Sequence, residues 1–206
     1  MIGRIRNCEA GQGVLKLETI EPQTAKHATI AECEAELDYI LAAPNSRATI
    51  GQLCFRPDFG LRTFPDALDM TVKHGIIGER WTKKPWLTLP NGEPDPRIQV
   101  SILSKRVMDL CWRDHTNTVH PGDPIVVDMN LSATNLPVGT RLSAGLAILE
   151  VSDKFNTACV KWRDRYGDDS LRWINKRENR DFRLRGILCK IVQDGTVKVG
   201  DQLIKL

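Results

Sequence analysis

The chain has 206 residues, of which 41% are hydrophobic and 27% are charged, and its formal net charge is +3. This balance is typical of a soluble globular protein with one sizeable core, and the charge is too small to indicate a nucleic-acid partner. Since no apolar run approaches the ~20 residues that span a bilayer and the N-terminus lacks a signal-like core, we expect a single cytoplasmic domain over residues 1–206 with no membrane partner.

Residues 1–47 are predicted to form a leading strand and a helix. Residues 14–20 alternate between apolar and polar side chains, which favours a strand. Thr29-Ile30-Ala31-Glu32 is a capping-box pattern, and apolar residues follow it at helical spacing as far as Pro44. We therefore expect a helix that begins after Thr29, ends before Pro44 and covers one side of the core.

Residues 48–206 change to short β-rich runs bounded by Gly, Pro, Asn and Asp. The predicted strands cover residues 49–56, 68–72, 99–103, 124–128, 142–151, 186–193 and 196–206. Asp194-Gly195 is a two-residue hairpin signal that would pair the last two strands. Helices are predicted at 105–112 and from 160 to about 175, with Asp168 or Asp169 capping a second piece. The pattern predicts a mainly β protein, a barrel with a few peripheral α-helices.

Cys159 is the strongest single candidate for a functional residue. It stands in Asn156-Thr157-Ala158-Cys159, after an apolar run and before a basic stretch. The six cysteines of the chain include no CxxC pair, so most are expected to be reduced thiols. A thiol at a helix start beside cations should ionise readily, which suits binding a soft metal or carrying sulfur. The alternative is an inert buried thiol.

Residues 159–185 form the one basic segment, with nine Lys or Arg against five acids. Such a segment is either a solvated helical face or an anion site beside Cys159. Elsewhere, Cys111, His115 and His120 suggest zinc only weakly, because their spacing is irregular and no fourth ligand is near.

Seven motifs recur in an order that resembles the MOSC domain family, relatives of the C-terminal domain of molybdenum cofactor sulfurases. The chain is similar to small stand-alone bacterial members. The motifs are Arg56-Pro57; Gly75-Ile76-Ile77-Gly78-Glu79-Arg80-Trp81; Gln99-Val100-Ser101-Ile102; Pro121-Gly122-Asp123; Asn135-Leu136-Pro137-Val138-Gly139-Thr140; Thr157-Ala158-Cys159-Val160-Lys161-Trp162; and Leu184-Arg185-Gly186 with Gly195-Thr196-Val197-Lys198-Val199-Gly200-Asp201.

The resemblance implies a MOSC-type β-barrel and a molybdenum cofactor of the molybdopterin type, with Cys159 as catalytic residue and metal ligand. Characterised members reduce N-hydroxylated compounds. The implied function is thus a molybdenum cofactor-dependent oxidoreductase for small N-hydroxylated substrates, with electrons from a separate electron-donor protein. Cys159 matches the family cysteine, and Arg80 matches the arginine of the Gly-x-x-Gly-Asp-Arg motif.

The cofactor's phosphate requires Arg, Lys or helix N-terminal N–H groups. Arg80, Lys161 and Arg185 are the candidates to bind it, with Asn156 and Thr157 of the cysteine motif beside them. For Arg80 the alternative is a structural ion pair with Glu79 or Asp69.

Two departures from the family pattern leave other functions open. Glu79 replaces the usual Asp, and Asn156 replaces a histidine, which removes a proton donor. The chain could instead be a sulfur carrier that holds a persulfide on Cys159, with a cysteine desulfurase as partner. A non-catalytic binding module is the third alternative, because Ala158 adds a methyl group where a glycine would let a ligand approach the backbone.

Overall fold

Seven strands form a closed barrel around which the other elements are placed. The computed structural model describes residues 27–206, and the strand predicted at residues 14–20 lies outside them. The described strands are β1 (Arg47–Leu53), β2 (Ala67–Thr71), β3 (Gly75–Ile76), β4 (Val100–Ser104), β5 (Ile125–Val127), β6 (Arg141–Ala144), β7 (Ala147–Val151), β8 (Ile187–Gln193), β9 (Gly195–Lys198) and β10 (Gln202–Lys205). The barrel runs in the order β1-β10-β6-β7-β8-β4-β5 and closes between β5 and β1, which confirms the predicted mainly β barrel.

The pairing within the barrel is antiparallel except between β4 and β5, which run parallel. Side chains of the parallel pair alternate between two cores: Ile102 and Ile125 face the barrel interior, whereas Leu103 and Val126 lie under the helices. This period of two is what a strand buried on both faces requires. A separate sheet of three strands, in the order β3-β2-β9, contacts the barrel through β7 and β8.

Short helices cover one side of the barrel. They are α1 (Ile30–Ala35), α2 (Leu37–Leu41), α3 (Lys105–Cys111), α4 (Val160–Tyr166) and α5 (Asp168–Asn175), with 3₁₀ helices at Arg80–Thr82, Pro96–Ile98 and Arg177–Phe182. Trp162, Tyr166 and Trp173 fill the layer between these helices and the barrel. No helix in residues 27–206 has the length and apolar character needed to cross a membrane.

The predicted helix starts agree with the structure better than the predicted helix ends do. The Thr29 hydroxyl accepts from the Glu32 N–H at 3.3 Å, and the Glu32 carboxylate accepts from the Thr29 N–H at 2.7 Å, so the predicted capping box is present. The predicted helix after it is divided at Glu36 into α1 and α2. The predicted helix from residue 160 is divided at Gly167, whose φ of 91° breaks the helix, and Gly167 takes the cap position expected for Asp168 or Asp169.

Two predicted strands were too long, and the hairpin at Asp194-Gly195 was wrong. Residues 142–151 turn at Gly145 to give β6 and β7, and residues 196–206 divide into β9 and β10, which belong to different sheets. β8 pairs with β4 and β7, whereas β9 pairs with β2. The Asp194 carboxylate accepts from the Val72 N–H beyond β2 at 2.8 Å, which directs the chain out of the barrel toward the small sheet.

Gly186 should be intolerant of a side chain. Its φ is 85°, and an added Cβ would collide with the carbonyl oxygen of Ile102 on the neighbouring strand. We expect Gly186→Ala to lower the free energy of unfolding by about 3 kcal/mol, since strain and backbone displacement add. Gly51→Ala is the matched control, because a Cβ there meets nothing within 4 Å. Urea unfolding measures the stability of both variants. Equal losses would contradict the close approach of Gly186 to the Ile102 carbonyl.

Candidate functional site

Cys159 lies where the loop after β7 enters α4. It is the N-cap of α4, with extended backbone (φ −112°, ψ 179°), and its carbonyl accepts from the N–H groups of Trp162 at 2.8 Å and Arg163 at 3.2 Å. No side-chain hydrogen bond caps the helix, so the thiol is not used for capping. The backbone therefore anchors the residue while the sulfur remains accessible.

Cys159 differs from every other cysteine in residues 27–206, because it is exposed and they are buried. Burial raises the pKa of Cys33 and of Cys54 to about 11 and that of Cys189 to about 12, and it raises the pKa of Cys111 further. Desolvation suppresses the thiolate, which is the form that binds metals and attacks sulfur. Cys159 is thus the accessible thiol of the described chain.

Side-chain amides hold the loop that carries the cysteine. Asn175, in the last turn of α5, accepts from the Ala158 N–H at 3.0 Å and donates to the Ala158 carbonyl at 2.8 Å. Asn156 donates to the Arg185 carbonyl at 3.1 Å, and Ala158 is buried under the helices. Thr157 is exposed. The predicted ligands Asn156 and Thr157 therefore differ, since the first supports the loop and the second faces solvent.

A second loop brings aromatic and basic side chains to the same surface. Phe55 and Thr63 exchange backbone hydrogen bonds of 2.8 and 2.9 Å, which close a hairpin-like loop between β1 and β2. Phe59 stands near its tip with 49% of its surface exposed. This loop, residues 55–63, is called the aromatic loop below.

Three cations from two segments of the chain meet at the ring of Phe59. The Arg80 Cζ lies 4.7 Å from the ring centre, the Lys84 Nζ 5.2 Å and the Lys161 Nζ 5.4 Å. Arg80 and Lys161, which are 81 positions apart, are therefore brought to one aromatic side chain. Cys159 precedes Lys161 by two residues, so the backbone that carries the thiol is close in the chain to one of these cations.

The acid next to Arg80 is paired with a different arginine. Glu79 is 1% exposed, and it accepts from the Arg56 Nε at 2.6 Å and from the Trp81 N–H at 2.6 Å. Asp69, the other acid considered for Arg80, accepts from the Thr196 hydroxyl at 2.7 Å. Burial and then the charge of Arg56 lower the pKa of Arg80. Within residues 27–206, Arg80 has no ion-pair partner.

Arg62 is a further cation without an acid. Its Nε is buried with no hydrogen-bond partner in the described chain, and its guanidinium lies across Gly122. Burial, and then the neighbouring charge of Arg165, lower the pKa of Arg62. A desolvated guanidinium beside another cation is unfavourable unless an anion joins it. The surroundings of Arg62 are therefore suited to an anionic ligand.

Arg185 has an internal partner. Its Nη1 lies 2.9 Å from both carboxylate oxygens of Asp123, which is 1% exposed, and its Cζ lies 4.8 Å from the ring centre of Trp162. Burial alone would raise the pKa of Asp123, but Arg185 holds it below the ordinary value. The structure therefore gives Arg185 a structural contact, unlike Arg80 and Lys161.

The thiol and the unpaired cations lie at an open surface. Two small clefts in residues 27–206 both border Arg183, and Asn156 lines the first of them. Neither is lined by Cys159, Arg80 or Lys161. The same part of the chain holds no group of three His, Cys, Asp or Glu placed to bind a metal, so the weak zinc pattern forms no such site there.

Sequence reasoning missed most of the residues around Phe59. Phe59, Lys84, Arg62 and Asn175 carried no motif of their own. The available signal was the aromatic loop itself, where Arg56, Phe59 and Arg62 stand at every third position. Basic residues interleaved with an aromatic in a loop are typical of a binding surface.

The different surroundings of Arg185 and Lys161 predict different costs of substitution. We expect Arg185→Met to lower the free energy of unfolding by about 3 kcal/mol, because it leaves the buried Asp123 carboxylate without its cation. Lys161→Met should change it by no more than about 0.5 kcal/mol, because Lys161 is exposed and unpaired in the described chain. Chemical denaturation of both variants measures the difference, and equal stabilities would remove the structural role of Arg185.

Solved structures share the fold at low sequence identity. The YuaD protein from Bacillus subtilis superposes with a TM-score of 0.55 at 20% identity, covering 76% of this chain and 94% of that one. YiiM from Geobacillus stearothermophilus gives 0.52 at 11% identity over 77% and 75% of the two chains. YiiM from Escherichia coli gives 0.50 at 14% identity over 77% and 69%. No curated protein matches the chain significantly.

The family assignment follows from a match of the chain itself. The model of the MOSC domain matches residues 99–204, which span β4 to β10 and include the cysteine loop. These residues are more than half of the chain, and the closed barrel of the described structure agrees with the fold of the solved relatives. The chain belongs to the MOSC domain family.

Proposed function

We propose that this MOSC domain protein binds a molybdenum cofactor through Cys159 and reduces small N-hydroxylated compounds. One observation carries the proposal: an accessible thiol stands two positions before a lysine that has no ion-pair partner in residues 27–206. Cys159 is exposed, and Lys161 shares the ring of Phe59 with Arg80. Family membership supports the assignment, because MOSC domains are associated with molybdenum cofactor proteins.

The side chains present fit both ends of such a cofactor. A thiolate is a soft ligand of the kind that a molybdenum centre favours. A phosphate requires cations that no protein carboxylate has neutralised, and Arg80 and Lys161 meet that condition within the described residues. Arg62 adds a guanidinium whose buried Nε lacks a partner there. Both the thiol and the basic surface are therefore explained by one ligand.

In this proposal the chain supplies binding and position. When bound, the cofactor supplies the redox chemistry. Cys159 holds the metal as a thiolate, and Arg80 and Lys161 neutralise the phosphate. Asn175 fixes the backbone at Ala158 and so limits where the thiol can lie. Reduction of an N–O bond consumes electrons, and these come from a separate electron-donor protein.

The departure at Asn156 affects the supply of protons. An amide does not titrate, and Asn156 already donates to the Arg185 carbonyl at 3.1 Å. Cleavage of the N–O bond to N–H and water consumes two electrons and two protons, and both protons are therefore expected from solvent, to which the open surface gives access. A dedicated acid at this position is not required by the proposal.

The first test is the metal content of the protein. Expressed in a host that makes the cofactor, the wild-type chain should carry near-stoichiometric molybdenum by elemental analysis. Cys159→Ser should lower the molybdenum content at least about tenfold, because losing a ligand should cost no less than losing an outer contact. Val160→Ala, at an exposed neighbour, should retain the metal. Absence of molybdenum from all three proteins would overturn the proposal.

The exposure of Cys159 also favours a second candidate, a sulfur carrier that holds a persulfide for cofactor maturation. A carrier thiol must be reached by another protein, and Cys159 lies at the surface rather than in either of the two clefts described. Transfer requires a nucleophilic thiolate but no dedicated acid, so the change at Asn156 does not count against it. A cysteine desulfurase would be the sulfur donor.

Intact-mass spectrometry separates the two candidates. After incubation with a cysteine desulfurase and cysteine, a carrier should gain one sulfur atom that a reductant removes, and Cys159→Ala should gain none. A metal-loaded wild type that gains no sulfur supports the reductase. A chain that neither takes up sulfur nor holds metal would be a binding module without this chemistry.

A further inference from the structure

Phe59 occupies a position that the barrel does not explain. It is a large aromatic side chain with 49% of its surface exposed, and it belongs to neither the barrel core nor the helix-covered core of the described residues. A phenyl ring that stays exposed does not gain the free energy that burying its apolar surface would give. Its recorded ring contacts are instead with Arg80, Lys84 and Lys161.

The three cations would not stay together without a compensating group. Two like charges 4 Å apart repel by about 1 kcal/mol in water and by more near a protein surface. Long basic side chains also give up rotamer entropy of about 2 kcal/mol when they are held in one place. No carboxylate in residues 27–206 forms an ion pair with Arg80, Lys84 or Lys161. The contact that all three side chains share is the electron-rich face of Phe59, while the charges of Glu79 and Asp58 also act favourably on Arg80.

A cation over an exposed aromatic ring is stabilised by about 0.5–1 kcal/mol, so each of the three contacts favours the position in which its cation is held. Lys161 comes from the first turn of α4, Arg80 from the 3₁₀ helix after β3 and Lys84 from just beyond it. The ring is thus the shared contact of two segments that are remote in sequence. Removing its π-system would remove the one contact that these three cations share.

We propose that Phe59 is a positioning residue that organises Arg80, Lys84 and Lys161 into a clamp for a phosphate-like dianion. The ring acts through the three cations and does not itself bind the anion. The inference rests on the proposed function in taking the anion to be the phosphate of the cofactor. A clamp arranged before the ligand arrives loses less side-chain entropy on binding, which favours multiply charged anions over chloride.

The test uses the whole chain, prepared without cofactor. Inorganic phosphate is the probe. Phosphate affinity is measured by isothermal titration calorimetry at constant ionic strength, because added salt would screen the clamp. Phe59→Leu keeps an apolar side chain but removes the ring, and we expect about fivefold to tenfold weaker phosphate binding. Phe59→Trp restores a ring with a stronger cation interaction and should recover the wild-type affinity.

Phe64→Leu is the matched control. Phe64 lies close to the aromatic loop in sequence, is similarly exposed at 51%, and contacts the ring of His120 rather than a cation. It should bind phosphate as the wild type does. Thermal unfolding without phosphate should be similar for both leucine variants, so that a loss of affinity in Phe59→Leu alone cannot arise from a damaged fold.

The outcomes distinguish the clamp from the cofactor. Wild-type affinity in Phe59→Leu, equal losses in Phe59→Leu and Phe64→Leu, failure of Phe59→Trp to recover binding, or no phosphate binding by the wild type would each overturn the role of Phe59. A weakened Phe59→Leu beside a wild type that takes up no molybdenum would support the clamp and overturn the proposed cofactor. Molybdenum uptake by the wild type, with unchanged phosphate binding in Phe59→Leu, would support the proposed cofactor and overturn the clamp.

Discussion

The buried ion pair between Asp123 and Arg185 is the interaction on which the arrangement of the cysteine loop depends. Asp123 precedes β5, and Arg185 precedes β8, so the pair joins the starts of the two barrel strands that flank β4. The same arginine packs on Trp162 of α4, and its carbonyl holds Asn156. One arginine, through its guanidinium and its backbone carbonyl, thus links the barrel, the loop and the helix. A full charge can be buried there because its opposite charge is in contact.

The second ion pair, between Arg56 and Glu79, determines which charges remain available. Glu79 is buried and neutralises Arg56, so the neighbouring Arg80 keeps its charge without a carboxylate. Arg62 is likewise left beside other cations, and burial lowers the pKa of its guanidinium. A binding surface needs both kinds of arginine. Arg56 is neutralised by a buried acid and supports the fold, whereas Arg62 and Arg80 keep a charge that can attract an anion.

The barrel was predictable because its strands show local patterns, whereas the limits of those strands were not. Gly145 divides residues 142–151, and the exit of the chain at Asp194 depends on the Val72 N–H, which is remote in sequence. Cys159 and Arg80 could be found from their motifs. No role could be assigned to Phe59 from the sequence, because that role depends on contacts with side chains that only the folded chain brings together.

The order of strands in the barrel has a consequence for folding during synthesis. β1 is made early in the described chain, but its neighbours are β5 and β10, and β10 is the last strand to be made. Until then one edge of β1 has no partner, and the barrel is an open sheet whose apolar face is uncovered. Such non-local closure is slow and leaves a nascent chain prone to association. The demand for chaperones should therefore be greatest while the ribosome is still translating the segment between β5 and β10.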